Sequence, residues 1–547
     1  MNSIVRSGIG TLLVMLVMSR EVIAQPAPPD PPDQPAQPAP GAGDPAAQQP
    51  PAGPGAAEPP PRPALPDHAA GPAVPPPALP PPPPPDVPRG AEWTSLRLLH
   101  DKGVISDAEL ASALKDMGVV GAADATTLVL AKLRTTIYGF VENSFIHDST
   151  QSCVEICGNT QIQRADTYRG DHGRTVFSAR SSRFGVRLAA PEQHGVRVTG
   201  LIETDFMGPT TTTEQGMWTN AVLRVRHAFL KMDTPVVDIL VGQTWTLFGW
   251  QSSYLVASAQ PPGLPGQLFE RTTQLRLSRT IKAGAVTAEL AVAANRPPQQ
   301  DSSTPEGVAG IRLSFDHWTG QHTGYLASTV IQPASLAISG DLRKFRIPEL
   351  SATPHTGHVK VGGGIAFDAY LPIVPATKQS RDNALSVIGE LAIGSGTSDA
   401  YTGLAAAGSA NAPLPGTTTA ASTATDPGLA AIDATGHIEL IKWTSYIVGL
   451  EYYPGGTGGR LGVFANYGHM ESSNAKHVGT AATGTDAEIA AAQAKVRDHE
   501  ELYEIGLFVD PTRSTRLGAS GSLYDDSYGG GQEAKNYSLL MSGWLFY

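Results

Sequence analysis

Cysteine, charge and long apolar runs are all scarce in this chain. Beyond its N-terminus no segment approaches ~18 uninterrupted apolar residues, which excludes a helical membrane protein. Charged residues make up only 16% of the 547, the net charge is -11, and no basic run is present, so nucleic acid is excluded as a partner. His-Glu-x-x-His, a Gly-x-Ser-x-Gly elbow and a phosphate-binding glycine loop are all missing, so the chain reads as no enzyme and calls for no cofactor or metal. A barrel lipase assembled from distant Ser, His and Asp residues stays as the enzymatic alternative. Asp498-His499-Glu500-Glu501 is the one tempting ligand cluster, and it reads as a solvated loop or a weak divalent-cation contact. The two cysteines, Cys153 and Cys157, are an even pair close together in an exported chain, which reads as a disulfide stapling a loop.

Export is read from the N-terminus. Arg6 precedes the apolar stretch Ile9 to Met18, and Val22-Ile23-Ala24 suits cleavage before Gln25. The stretch is too short to span a bilayer, so residues 1–24 are expected to be a signal peptide, with an uncleaved anchor as the alternative. From 25 to 90 proline and alanine dominate, ending in the unbroken run Pro80 to Pro85. Such a segment buries no core and favours polyproline II, rising ~3.1 Å per residue and reaching roughly 200 Å. It is expected to be a disordered linker, either a passive tail or a tether to peptidoglycan. Residues 91–120 have helical period: Leu96, Leu98 and Leu99 share an apolar side, Gly103 terminates, and Ser106 with Glu109 forms a capping box beside the staple pair Ile105 and Leu110. This predicts a small helical hairpin, which resembles the short helical modules found in the periplasm before some bacterial porins.

From Arg134 to Tyr547 the period switches to two, and long and short connections alternate. With 58 glycines and a mean hydropathy of -0.12, an alternation of this kind suits strands that are apolar on one face and polar on the other. The expected fold class is all-β, a transmembrane antiparallel β-barrel of about sixteen strands, with fourteen or eighteen as alternatives. The strands expected first are Arg134 to Phe145, Arg174 to Ala189, Val196 to Phe206, Ala221 to Met232 and Val236 to Gln243, with Met207 to Thr219 an outer loop. Pro333, Pro348 and Pro354 make the region Thr323 to Pro372 the hardest to assign. The final strand, Lys535 to Tyr547, resembles the closing strand of a bacterial outer-membrane barrel, with Tyr537, Trp544, Phe546 and Tyr547 suited to a girdle at the lipid boundary.

The alternation also assigns faces. Val196, Val198, Gly200, Ile202 and Phe206 oppose Arg197, Thr199, Glu203 and Asp205; Phe184, Val186 and Leu188 oppose Arg183 and Arg187; Leu223, Val225 and Phe229 oppose Arg224 and Arg226. A lipid-facing arginine at the midplane costs ~2–4 kcal/mol, so the arginines are placed in the lumen. Together with Arg276 and Arg312 they are expected to form a cationic strip that attracts anionic solutes, opposed by Glu203 and Asp205; networks that only rigidify the wall are the alternative. Between Thr244 and Arg271 a loop carries Trp245, Phe248, Trp250 and Tyr254. Exposed, these would be an aggregation hazard, so the loop is expected to fold inward as a constriction, or else to rest on the rim or on a neighbouring subunit.

Four ordered motifs, Ile137-Tyr-Gly-Phe-Val141, Ala179-Arg-Ser-Ser-Arg-Phe-Gly185, Arg224-Val-Arg-His-Ala228 and Gly242-Gln-Thr-Trp-Thr-Leu-Phe-Gly249, resemble the DcaP-like trimeric porins over Arg134 to Tyr547. That resemblance implies a sixteen-stranded homotrimer in the bacterial outer membrane, in contact with its lipid, with a helical segment in the periplasm and uptake of small, often anionic, organic solutes. The long proline tract and the Ala/Thr-rich loop Tyr401 to Thr435 depart from the family, which puts the choice of substrate in doubt. A barrel that mainly ties the membrane to the cell wall through the proline tract is the alternative function.

Overall fold

The computed structural model describes Leu99, Ser106, Glu109 and residues 127–130, 133–208, 222–259, 263–298, 302–323, 329–348, 355–401, 404, 429–432, 438–478 and 485–547. The expected signal peptide, the linker, most of the hairpin, and much of the outer loops at 207–219 and 401–435 lie outside these residues. Ser106 and Glu109 do make the reciprocal bonds of a capping box: the Ser106 N–H and hydroxyl donate to Glu109 Oε2 at 2.8 and 2.9 Å, and the Glu109 N–H donates back to Ser106 Oγ.

The strands are β1 (Thr127–Leu130), β2 (Leu133–Asp148), β3 (Arg174–Ser178), β4 (Arg183–Ala189), β5 (Arg197–Asp205), β6 (Arg224–Asp233), β7 (Asp238–Trp245), β8 (Arg271–Ala283), β9 (Val286–Asn295) and β10 (Glu306–His322). They continue as β11 (Val330–Pro348), β12 (Gly357–Val374), β13 (Leu385–Ser395), β14 (Ala430–Ile432), β15 (Ile438–Leu440), β16 (Lys442–Tyr452), β17 (Leu461–Ser472), β18 (Arg497–Thr512), β19 (Thr515–Tyr528) and β20 (Glu533–Phe546). Three short helices sit in connections: α1 (Gln251–Tyr254), α2 (Ala475–Val478) and α3 (Asp486–Gln493).

Sequential antiparallel pairing runs from β2 to β20, and β20 pairs back onto β2, Leu545 opposite Val141 and Leu539 opposite His147. Closure leaves no free edge, which a bilayer demands of any sheet within it. Counting β3 and β4 as two halves of one wall strand, and setting aside β1 and the small β14–β15 hairpin, the described residues give a sixteen-stranded antiparallel barrel. β1 is absent from the sequence reading: it pairs with Leu133 to Thr136 and so covers β2 where β20 has already ended.

The two faces of the wall differ as a membrane requires. Tyr537, Leu539, Met541, Leu545 and Tyr547 are exposed on the outside of β20, while Leu540, Ser542 and Trp544 are buried inside. The girdle expected from the C-terminal aromatics therefore holds for Tyr537 and Tyr547; Trp544 and Phe546 share the inward face, Phe546 set edge-on to the buried Phe140. The prolines are placed where the ladder is already broken or ends. Pro333 lies at the register shift opposite Phe315 and Thr319, Pro372 at the shift before Val374, and Pro348 closes β11.

Two strands depart from simple alternation. The expected strand Arg174 to Ala189 is interrupted at Ala179–Ser182, where Arg180 turns inward and bonds the Phe206 and Gly208 carbonyls and Glu155. In β6 a bulge shifts the register between Glu203 and Thr204 of its partner, so that Glu203 faces His227 while Thr204 faces Val225. Arg226 is the extra residue. The shift corrects one face assignment: Val225 points to lipid, but beyond the bulge it is Leu230, exposed beside Val241, that does so, and Phe229 is on the inner side with His227.

Candidate functional site

The lumen wall at β4, β5 and β6 is a woven set of charges. Arg226 Nε donates to Glu203 at 2.8 Å and its Nη1 to Asp205 at 2.9 Å; Arg224 Nη2 reaches Asp205 at 2.6 Å, and Arg183 Nε lies 3.3 Å from Glu203. The Tyr138 hydroxyl adds a bond to Glu203 at 2.8 Å. Arg226 is almost fully buried because the bulge drives it into the layer between its neighbours. The two acids therefore do not oppose the arginines across the lumen. They are threaded between them on one strip, where each buried charge needs a partner.

The other expected arginines also face inward, each differently held. Arg312 pairs with Glu289 at 2.5 Å and lies over the Trp250 ring, 5.3 Å from its centre. Arg276 donates to Gln274 Oε1 and to the Trp245 carbonyl. Arg197 is exposed and pairs with Asp233, which Lys231 also meets. Arg187 is exposed above the Tyr138 ring and has no carboxylate within ion-pair distance among the described residues. With Arg134, Arg197, Lys231 and Asp233 it lines a cavity of about 320 Å³ at the short-turn end of the wall.

The connection from β7 to β8 lies inside the barrel. Phe248, Trp250, Tyr254, Leu264 and Leu268 are buried, and Trp245 marks the root, edge-on to Phe269 and beneath Arg271. The segment reaches the far wall: the Gly249 N–H donates to Ser339 Oγ of β11, the Leu268 N–H to Glu390 of β13, Asn466 of β17 to the Ala257 carbonyl, and Ser258 to Glu504 of β18. Gly266 carries φ 84° and lies so near the Tyr446 carbonyl that a Cβ would collide with it, so only glycine allows this approach. Trp250 takes left-handed angles, φ 42° and ψ 43°, at the start of α1, a conformation costing roughly 1–3 kcal/mol that the surrounding packing must hold.

Several lumen groups escaped the sequence reading. Arg343 gathers Glu306, Asp341 and Asp399; Arg497 meets Glu500, Asp526 and the Asn159 carbonyl; Arg174 meets Asp148. Asp368 and Glu390 stand opposite each other across β12 and β13. The loop after β2, closed by the Cys153–Cys157 disulfide, also packs inward, its Ile162 N–H donating to Asp526 at 2.7 Å. Burial pushes the Glu155 carboxyl in this loop up to about 7, against the pull of Arg180 at 3.1 Å. Arg343 with Asp341 and Arg497 with Glu500 are local pairs, but the partners Glu306, Asp399, Asp526 and Asp148 lie tens of residues from their arginines, where no local pattern signals them. The cluster Asp498-His499-Glu500-Glu501 is divided: Glu500 points inward to Arg497, while Glu501 lies on the outer face with the exposed Tyr503.

No family model and no curated protein matches the chain. Among solved structures it is similar to the outer membrane channel DcaP of Acinetobacter baumannii, with TM-score 0.54 and 16% identity over 76% of this chain and 98% of that one. It also matches the anion-selective porin from Comamonas acidovorans, at TM-score 0.42 and 11% identity over 76% and 100% of the two chains. The trimer form of OmpT from Vibrio cholerae matches at TM-score 0.41 and 11% identity over 76% and 99%. Closed ring, inward loop and inward arginines together give this chain the fold of a DcaP-like outer-membrane porin.

Proposed function

We propose that the protein is an outer-membrane porin, a homotrimer of water-filled channels through which small hydrophilic, anionic solutes diffuse passively. The observation that carries this reading is the unbalanced charge of the lining: at the short-turn end, Arg134, Arg187, Arg197 and Lys231 surround a cavity with Asp233 as the one acid of its lining. Higher in the lumen the arginines are matched by Glu203, Asp205 and Glu289, so they shape the wall and hold it stiff. Unmatched cations between low-dielectric walls raise the local concentration of anions and replace part of their hydration. The inward loop carrying Phe248, Trp250 and Tyr254 serves as the constriction that limits solute size. The test is the reversal potential of the purified protein in planar bilayers under a salt gradient. Anion preference is expected, reduced in Arg134→Ala/Arg187→Ala; a cation preference in the unaltered protein sinks the anion reading.

A further inference from the structure

The antiparallel register of β17 and β18 sets His469 opposite Glu501 and Glu471 opposite His499. All four belong to the outward side of the barrel, at the end with the long connections, since Tyr503 and Ile505 next along β18 are exposed to the surroundings. One ligand atom from each of His469, Glu471 and His499 lies within 4.8 Å of the others. His469 Nε2 is 3.9 Å from Glu471 Oε2, and His469 Nδ1 and His499 Nε2 are 3.5 and 3.6 Å from Glu501 Oε1. These separations are too long for good hydrogen bonds. Of the three, the His469–Glu471 separation joins two of the clustered ligands, and its 3.9 Å stands a little above the roughly 3.3–3.4 Å edge of a tetrahedron whose ligands stand ~2.0–2.1 Å from a central ion, so a small closure of the cluster would seat the ion.

The residues around the cluster hold it in place. Tyr467 and Tyr503 donate to the two oxygens of Glu501 at 3.0 and 2.6 Å, Tyr446 stacks on His469 at 4.8 Å, and the His499 ring meets His469 edge-on. His469 Nδ1 is buried and faces Glu501 Oε1 at 3.5 Å without a well-formed hydrogen bond. Nearby charges are already committed, Asp525 to Lys535 and Asp498 to Lys476, so they do not compete for a cation.

We propose that His469, Glu471 and His499 form a binding site for a divalent transition metal of the zinc class, with Glu501 as the carboxylate that orients His469 through Nδ1. Two imidazoles and one carboxylate favour zinc over magnesium or calcium, which take oxygen alone, and three protein ligands leave a fourth position open. A carboxylate behind a ligating histidine fixes the ring and raises its basicity. Metal here bridges β17 and β18 beneath their long connection and so resists separation of the two strands.

The test uses untagged full-length protein in detergent, stripped with chelator and titrated with zinc chloride. The expected result is one zinc per chain, bound at least tenfold more weakly by His469→Ala/His499→Ala, and a zinc-induced rise in thermal midpoint that this variant lacks. Glu501→Gln is expected to keep the stoichiometry and weaken affinity by about 10- to 100-fold. X-ray absorption at the zinc edge of the unaltered protein is independent of whether any variant folds, and two imidazoles in its shell are expected. An all-oxygen shell, zinc bound equally by the double variant, or displacement of zinc by millimolar magnesium overturns the proposal. The readouts are independent of conductance, so the site and the porin reading fail separately.

Discussion

At the scale of single residues, burial decides what a charge does. Arg226 is an extra residue in a bulge, nearly sealed from solvent, with Glu203 and Asp205 beside it. Its removal takes one partner from each of two buried acids, leaving Glu203 to Arg183 and Tyr138 and Asp205 to Arg224. Arg226→Met is therefore expected to destabilise the barrel by about 3–5 kcal/mol, read as a lower denaturant midpoint in detergent. Glu488 illustrates the opposite setting, an exposed carboxyl that accepts from the Thr485 N–H at 2.8 Å and from its hydroxyl at 3.0 Å, capping α3. Those bonds hold its pKa below the ordinary 4.5. A depressed carboxylate contributes stability that is present above the unfolded value and is lost as pH falls through the folded one. Amide protection in α3 should accordingly be full near neutrality and decline only below about pH 4.5. A decline that sets in above that pH contradicts the capping role.

At the scale of elements, the loop from β7 to β8 presses on the opposite wall through backbone contacts that need glycine. Gly266→Val is expected to push the loop off β16 and β17 and to raise single-channel conductance severalfold with little change in the circular dichroism of the strands. Unchanged conductance would mean the loop does not limit flow. That this segment folds inward was legible from its tryptophans and from Phe248, because so much apolar surface has no stable place in water. Where it docks was not, since Ser339, Glu390, Asn466 and Glu504 are ordinary wall residues until the ring closes. Alternation likewise gave β5 and its faces, while the bulge in β6 left no trace in composition and turned Phe229 to the side opposite the one expected. The break at Ala179–Ser182 is similar: Arg180 looks like one more strand residue until Glu155 and the Phe206 carbonyl are seen beside it. The histidine and glutamate cluster on β17 and β18 was half visible: His499 and Glu501 stood out in sequence, while His469 and Glu471, a second pair two residues apart, join them through register.

At the scale of the molecule, the ring among the described residues is closed by the pairing of β20 with β2. Deleting 25–118 from the mature chain is thus expected to leave single-channel conductance within about twofold. Loss of envelope integrity with conductance intact would assign the proline tract a tethering role of its own. Loss of conductance would show that the barrel depends on it.

The segment between β7 and β8 is fastened at both ends to one flank of the cylinder and bonded to the other. A ring of this kind is open at its two mouths, so the strap reaches its place either by folding in through the mouth at the long-connection end or by being enclosed as the wall closes. On both routes its bonds to Ser339 and Asn466 join stretches of chain far apart in sequence, contacts of the kind that slow folding.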